Sequence, residues 1–239
     1  MLKDHLVGVD GCKAGWIAIS VEADHWHMPE LFDSLAALWQ VHGGARRLLI
    51  DMPVGLPDGA EERRCEQLAR RLLGPRRSSV YRVPCREAVY AHGDDILRIN
   101  RQRTGKGLSV QCLRIIPRIR QVDLFLRSHP EAVGVVSESH PELVFFMLNG
   151  GVPLRWNKKS AEGRDERTRI ILGTGILTHE ELDGMLSHRL VLPRPRPGVD
   201  DVLDALVLAV AAQRRSGCMR SLPDEPVCDE MGLPMQMVY

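Results

Sequence analysis

The chain has 239 residues, of which 44% are hydrophobic and 26% charged, with a formal net charge of +1, as is ordinary for a soluble globular protein. No apolar run reaches the roughly 18 residues of a membrane-spanning helix, and the first residues lack the pattern of a signal peptide. The six cysteines are scattered without metal-ligand spacing, which argues against a disulfide framework or a zinc cluster and favours a reducing, cytoplasmic location.

The first fifty residues predict β-strands and one helix. Leu6–Asp10 and Trp16–Val21 are short β-rich runs joined by a glycine-containing turn, which is typical of a hairpin. A third strand is expected over His25–Leu31. Leucine spacing predicts a helix over Ser34–His42, and the apolar run Leu48–Asp51 predicts a buried strand.

Helical periodicity dominates the next seventy residues. It predicts helices over Glu61–Leu73, near Arg86–Gln102 and over Ser109–Arg127, the last of them kinked at Pro117. The segment Arg76–Tyr81 between the first two helices is expected to be a loop.

Strand character returns at Ala132–Glu138. Ser139–Glu142 is similar to a capping box that opens a helix over Leu143–Leu148, and Thr178–Glu181 is a second capping box. The last predicted helix, Val202–Ala212, is apolar almost all round. This order of elements predicts an α/β fold, with a mixed sheet and a helical insertion between the fourth and fifth strands.

The helical insertion is also the basic part of the chain. Residues 63–127 hold sixteen Lys and Arg against five Asp and Glu, whereas the remainder holds sixteen against twenty-six. A basic segment on an acidic core suits a polyanionic partner such as nucleic acid or a nucleotide. A solvated helical face, whose arginines pair with acids elsewhere, explains the same excess equally well.

Acidic residues follow or lie on apolar runs at several places, namely Asp10, Asp51, Glu138 and the pair Asp201 and Asp204. Carboxylates at strand ends meet on one rim of a sheet, where they repel one another unless protons or a divalent cation intervene. Asp204 also lies among apolar neighbours, where an unpaired carboxylate is costly. These five are the candidate catalytic residues, and Asp10, Asp51 and Asp204 are the candidate metal ligands.

The chemistry of such a site is hydrolysis of a phosphodiester. Carboxylates without thiols are the ligands that Mg²⁺ prefers, and Mn²⁺ accepts the same set. Two such ions about 4 Å apart can activate a water and stabilise the leaving oxygen.

Each acid also has a purely structural explanation. Asp10 and Asp51 could be turn formers, and Asp201 could stabilise a helix N-terminus through the helix dipole. Asp200 is expected to be an N-cap, and Glu142 is best explained as the acid of a capping box.

Candidate phosphate-binding or nucleic-acid-binding residues carry cationic or hydroxyl groups in predicted loops, with a solvated surface as the alternative. They are Lys13, Arg76, Arg77, Ser78, Ser79 and Lys158. His140 is either a general acid or base, or a surface histidine at a helix start.

Six separate stretches between residues 5 and 212 are similar to one known family. They are Val9–Trp16, Ile50–Pro57, Arg77–Val80, Glu138–Glu142, Leu148–Gly151 and Asp200–Leu206. The family they resemble is domain of unknown function 429, an uncharacterised bacterial and archaeal group. The resemblance implies nuclease activity and a single ribonuclease H-like domain over residues 1–239, with a basic helical insertion at about 60–130. Its sheet would have five strands, of which the first three are antiparallel.

The resemblance also implies where the acids belong. In ribonuclease H-like proteins they lie at the end of the first strand, on or near the fourth strand, and on the last helix. Those places correspond here to Asp10, Asp51 and the Asp201 and Asp204 pair. The pair, followed by Ala205, is similar to the closing motif of Holliday-junction resolvases, which are often dimers, so a homodimer is one expectation. The helix predicted over Ser34–His42 lacks the acid that ribonuclease H proper carries.

Three functions are therefore compared. The first is a nuclease that depends on Mg²⁺ or Mn²⁺ and acts on DNA or RNA. The second is a nucleotide-phosphate-binding enzyme of the actin and sugar-kinase kind, which also places an Asp-Gly turn after its first strand. The third is a non-catalytic module that binds nucleic acid.

Overall fold

A computed structural model describes residues 4–213 and 219–239, which form a mixed α/β fold. The strands are β1 (His5–Cys12), β2 (Gly15–Glu22), β3 (His25–Trp26), β4 (Glu30–Phe32), β5 (Arg47–Ile50), β6 (Val136–Glu138), β7 (Ser221–Cys228) and β8 (Pro234–Val238). The helices are α1 (Leu35–His42), α2 (Arg64–Leu73), α3 (Arg86–Tyr90), α4 (Asp95–Thr104), α5 (Val110–Ser128), α6 (Pro141–Leu148), α7 (Ala161–Gly173), α8 (His179–His188) and α9 (Val199–Ala212). None of these helices is long and apolar enough to cross a membrane.

The main sheet has six strands, in the order β3-β2-β1-β5-β6 with β4 also paired to β2. The hairpin of β1 and β2 is confirmed, and β3 and β4 pair antiparallel with β2. The strands β1, β5 and β6 run parallel to one another. The single third strand expected over His25–Leu31 is two short strands instead, because Pro29 between them has no N–H to donate to the ladder.

Two helix starts agree with the sequence. Ser34 caps α1 by accepting a hydrogen bond from Ala37 N at 3.2 Å. At α8, Thr178 and Glu181 form the expected capping box, with Thr178 N donating to the Glu181 carboxylate at 2.8 Å. The spacing of apolar residues predicted the first of these helices, and the capping-box pattern predicted the start of the second.

Several predictions about helices are wrong. The one helix expected near Arg86–Gln102 is two, since α3 ends at Tyr90 and α4 begins at Asp95. The expected loop after α2 begins with a 3₁₀ helix over Gly74–Ser79. A glycine with positive φ lies at each place, Gly74 and Gly93, where the backbone leaves the α-helical conformation.

The N-cap residues of α6 and α9 differ from expectation. His140 rather than Ser139 is the N-cap of α6, and Ser139 Oγ donates instead to Val238 O at 2.7 Å. Gly198 rather than Asp200 is the N-cap of α9, and the backbone N–H of Gly198 donates a hydrogen bond to the Asp201 carboxylate at 2.7 Å.

The apolar helix α9 packs on β1, β2 and β5, and the apolar cores lie on both faces of the sheet. Its contact with β1 depends on Gly8, where a Cβ would lie 2.2 Å from both Ala205 O and Ala209 N. Only a residue without a side chain lets the two backbones approach so closely. This contact brings the N-terminal half of α9 next to the strand that carries Asp10.

A second small sheet, made of β7 and β8, packs against α2 and β6. Asp229 joins it to the insertion, because its carboxylate pairs with Arg86 and accepts a hydrogen bond from Leu56 N at 2.9 Å. The five described cysteines are free, and the sixth, Cys218, lies outside the described residues.

Candidate active site

Asp10 and Asp51 reach the same edge of the sheet from neighbouring parallel strands. Val9 of β1 is in register with Ile50 of β5, and Asp51 N donates to Val9 O at 2.9 Å. Asp10 is only 6% exposed, and its Oδ1 accepts a hydrogen bond from Gly11 N at 2.7 Å. The carboxyl ends of parallel strands are the usual place for a site in an α/β sheet.

Helix α9 contributes a third carboxylate, which is buried as that of Asp10 is. Asp204 is 3% exposed, among apolar residues that are themselves buried. Its Oδ2 accepts a hydrogen bond from Lys158 Nζ at 2.6 Å. The sequence predicts that Asp204 needs a partner, and the partner in this structure is a lysine.

The three acids act on one another electrostatically. Burial, and then the negative charges of Asp51 and Asp204, raise the pKa of Asp10 well above its ordinary value. Burial raises the pKa of Asp51 to about 6; His140 and Lys158 oppose this rise, and Asp204 adds to it. Carboxylates in this situation retain protons unless a positive charge replaces them.

Asp201 is a fourth acid that interacts with this cluster, but its hydrogen-bond partner is the backbone at the start of α9. Burial raises its pKa, the Gly198 amide lowers it, and Asp204 adds a smaller repulsion. Because its Oδ2 accepts the Gly198 N–H at the helix start, Asp201 serves as the capping acid of α9.

Glu138 lies beside Ile50 in the sheet but has other partners. It is 3% exposed, pairs with the fully buried Arg63, and accepts a hydrogen bond from Val54 N at 2.8 Å. Arg63 also lies 3.6 Å from a Glu66 carboxylate oxygen. Glu138 therefore holds the loop that follows Asp51.

The structure places the candidate phosphate-binding residues in two kinds of environment, one internally paired and one near solvent. Arg76 pairs with Glu142 at 3.1 Å, and the same carboxylate pairs with the fully buried Arg167. Glu142 thus joins three segments and is not the acid of a capping box. Its pKa is lowered because the hydrogen bond from Arg76 and the charge of Arg167 outweigh its burial.

The remaining candidates lie nearer to solvent. Lys13 is exposed in the turn between β1 and β2, and Arg77 and Ser78 are exposed on the 3₁₀ helix. Ser79 Oγ donates to Arg76 O at 2.9 Å. Its carbonyl oxygen lies 3.2 Å from His140 Nε2, so His140 ties this helix to the start of α6.

Two arginines near the site were not identified from the sequence. Arg63 and Arg167 are buried beneath the rim, where they neutralise Glu138 and Glu142. A weak signal existed for Arg63, because it lies three residues before Glu66 in a helical pattern. Nothing distinguished Arg167 from the other basic residues of its helix.

The donor set is of the kind that suits Mg²⁺ or Mn²⁺, since it consists of three carboxylates without a thiol. Over residues 4–213 and 219–239, however, no group of three or more His, Cys, Asp and Glu side chains is arranged to hold a metal ion. In this arrangement Asp204 is paired with the Lys158 ammonium.

Comparison with known proteins gives one finding. A family model described as "Protein of unknown function (DUF429)" matches residues 8–227. Neither the curated proteins nor the solved structures contain a match.

Proposed function

The chain belongs to the DUF429 family, described as of unknown function, and from that premise we propose that it is a divalent-metal-dependent nuclease. The observation that carries the proposal is the cluster of Asp10, Asp51 and Asp204, in which burial and the neighbouring negative charges raise the pKa of Asp10 and of Asp51. Such repulsion does nothing for a fold by itself, and it is typical of sites that bind a positively charged ligand.

The strand order supports the proposal. In the order β3-β2-β1-β5-β6, the first three strands are antiparallel and β5 and β6 run parallel to β1, which agrees with what the ribonuclease H-like resemblance implies. The sheet has six strands rather than the expected five, because the short strand β4 also pairs with β2. The positions of Asp10, Asp51 and Asp204 also agree with the first-strand, fourth-strand and last-helix places of that resemblance.

In phosphodiester hydrolysis, a water oxygen bonds to phosphorus while the bond from phosphorus to the leaving oxygen breaks. The water gives up one proton, and the leaving oxygen takes one up. A bound divalent ion would supply a more acidic water and charge stabilisation of the leaving oxygen. Asp10 and Asp51 would hold that ion, and Glu138 with Arg63 would keep the Asp51 loop in place.

The insertion supports nucleic acid as the substrate, although much of its charge is used internally. Arg63, Arg76 and Arg86 pair with buried acids, and Arg118 and Arg120 donate to backbone carbonyls. Other basic side chains are exposed and make no ion pair with the described acids: Arg64, Arg71, Arg77, Arg101, Lys106 and Arg114. These are suited to a phosphate backbone.

The direct experiment incubates the protein with single-stranded, duplex and branched DNA and with RNA, in Mg²⁺ or Mn²⁺, and follows cleavage on denaturing gels. We expect cleavage of at least one form, and none when a chelator is in excess. If a folded protein that binds Mn²⁺ cleaves none of these forms, the proposal is wrong and a non-catalytic binding module becomes the better explanation.

The binding of metal should depend on pH. Because the pKa of Asp51 is raised to about 6 and that of Asp10 is also raised, a cation must displace protons in acid. We expect Mn²⁺ affinity to fall about tenfold for each pH unit below pH 6 per proton displaced. Calorimetric titrations between about pH 5 and pH 8 would measure this slope.

The variant Asp51→Asn should bind Mn²⁺ more weakly at neutral pH and with a shallower slope. In the metal-free wild type, stability changes with pH in the direction opposite to metal affinity. Because the pKa of Asp51 is raised in the folded state, the free energy of unfolding decreases as pH rises from 3.8 to about 6. An Mn²⁺ affinity independent of pH would contradict the assignment of these acids as ligands.

A further inference from the structure

Trp156 is an exposed aromatic residue on the segment that leads from α6 to α7. It is 42% exposed, although tryptophan is ordinarily well buried. All four tryptophans of the chain lie within the described residues, and the other three are withdrawn from solvent. Trp16 and Trp26 are buried, and Trp39 is half-buried with its ring against Phe125. Trp156 is therefore the tryptophan whose ring is available to a ligand.

The backbone that carries this ring is held by α7. The Glu166 carboxylate accepts hydrogen bonds from Arg155 N at 2.9 Å and from Trp156 N at 3.0 Å. Trp156 O accepts a further hydrogen bond from Arg167 Nη1 at 3.4 Å. Because its support is already ordered, the ring loses little freedom when a ligand covers it.

The surroundings of the ring are cationic. The Arg155 guanidinium carbon lies 4.9 Å from the centroid of the Trp156 ring, in a cation–π contact. Residues 155–164 contain four basic residues and one acid, and Arg155, Lys159 and Arg164 are exposed. An exposed ring among cations is the combination by which proteins bind single-stranded nucleic acid, since bases stack on the ring and phosphates approach the cations.

The same segment reaches the candidate active site. Lys158, two residues after Trp156, donates from Nζ to Asp204 Oδ2 at 2.6 Å. The Cα atoms of two residues so separated lie at most about 7.6 Å apart, so Trp156 lies close to the lysine that contacts the acids. A strand with one phosphate at the acids therefore has neighbouring bases in the region of Trp156.

We propose that Trp156 stacks on an unpaired base of the nucleic acid and that the substrate is single-stranded at this point. The inference rests on the proposed nuclease function for the role of the acids, but it requires no metal ion. In a continuous duplex the neighbouring base pairs cover both faces of each base, so only an unpaired or displaced base offers a face to the ring.

The experiment measures the binding of three fluorescently labelled DNAs of equal length in excess chelator, which prevents cleavage. They are an oligothymidylate, the same strand without its bases, and a duplex. Trp156→Leu should bind the oligothymidylate about 5- to 150-fold more weakly than the wild type does. Its affinity for the abasic strand and for the duplex should be unchanged. Trp156→Phe keeps an aromatic face and should retain most of the affinity for the oligothymidylate.

Two further measurements identify the contact as stacking. The oligothymidylate should quench the tryptophan fluorescence of the wild type but not that of Trp156→Phe. Lys159→Met is the matched control, because it removes an exposed charge three residues away and leaves the ring in place. It should reduce the slope of log affinity against log salt by about 0.7 and keep the quenching, whereas Trp156→Leu should keep the slope.

The other outcomes separate this inference from the proposed function. Equal losses for the normal and abasic strands in Trp156→Leu, or no loss for either, would overturn the role of Trp156 and leave the nuclease proposal in place. A wild type that binds vesicles of anionic lipid and none of these DNAs would overturn the inference and remove DNA as the substrate. Loss for the normal strand alone, in a protein that cleaves nothing in Mg²⁺ or Mn²⁺, would support the role of Trp156 and overturn only the nuclease proposal.

Discussion

Asp10→Asn is expected to lower the rate of cleavage about a thousandfold, because a metal ion contributes several kcal/mol of transition-state stabilisation and about 1.4 kcal/mol corresponds to tenfold in rate. The amide keeps an oxygen for the Gly11 N–H but loses the charge that holds the cation. Initial rates under saturating Mn²⁺ would measure the loss.

The same substitution should stabilise the metal-free protein at pH 7. Burial and the charges of Asp51 and Asp204 raise the pKa of Asp10, so its ionised form is unfavourable in the folded state. The folded state then binds more protons than the unfolded state, and ionisation at neutral pH lowers the free energy of unfolding. An asparagine avoids this, so the melting temperature of Asp10→Asn in a chelator should exceed that of the wild type.

The combination of lower activity and higher stability is what distinguishes a functional acid from a structural one. Asp165→Asn makes the same chemical change at an exposed position of α7 and should alter neither property. Wild-type cleavage by Asp10→Asn, or a melting temperature below that of the wild type in chelator, would contradict the role assigned to Asp10.

Arg63→Met is expected to have the largest effect on stability, about 3–5 kcal/mol, because it leaves buried carboxylates without their cation. Arg63 and Glu66 are fully buried and Glu138 is 3% exposed. Equilibrium unfolding in urea would measure the loss. The neighbouring Arg64→Met, on the exposed side of α2, should change the free energy of unfolding by less than about 0.5 kcal/mol.

The loss should grow with pH. Burial raises the pKa of Glu66 to about 8 even though Arg63 opposes the rise, and burial raises that of Glu138 as well. Without Arg63 both carboxyls would retain protons in the folded state that the unfolded state releases, so the stability of the variant falls as pH rises. A loss of stability below about 1 kcal/mol, or a loss independent of pH, would show that Arg63 does not neutralise the carboxylates of Glu66 and Glu138.

A second substitution separates the ion pair from simple packing. Arg63→Met combined with Glu138→Gln removes one uncompensated charge, so the double variant should recover part of the stability. Cleavage should remain low in the double variant, because neither substitution restores the ion pair between Arg63 and Glu138 that holds the loop following Asp51.

The Asp10 and Arg63 variants test two adjacent layers of charged residues in the same site. Asp10, Asp51 and Asp204 form the layer that faces the proposed substrate, and the raised pKa values of Asp10 and Asp51 make their ionised forms unfavourable to the fold. Beneath them, Arg63 with Glu138 and Arg167 with Glu142 form a layer of buried ion pairs that holds the rim together. The basic insertion supplies Arg63, so its charge serves the architecture as well as any polyanionic partner.

The sequence alone was sufficient for the features that depend on neighbours along the chain. The hairpin of β1 and β2, the helix α1 and the capping box at Thr178 follow from apolar periodicity and from side chains within a few residues. The juxtaposition of Asp10 and Asp51 is different, because it depends on the parallel pairing of Leu6–Val9 with Arg47–Ile50, which the resemblance to a known family implied and local patterns did not.

Only the tertiary structure decided which charges meet. Lys158 lies forty-six residues from Asp204, and Arg63 lies seventy-five residues from Glu138, and no periodicity encodes such distances. The sequence held many equivalent arginines and lysines, and packing alone determined that Arg63 and Glu138 pair where both are removed from water. Burial and geometry therefore determine which charged side chain pairs with each acid, and local sequence patterns do not contain that information.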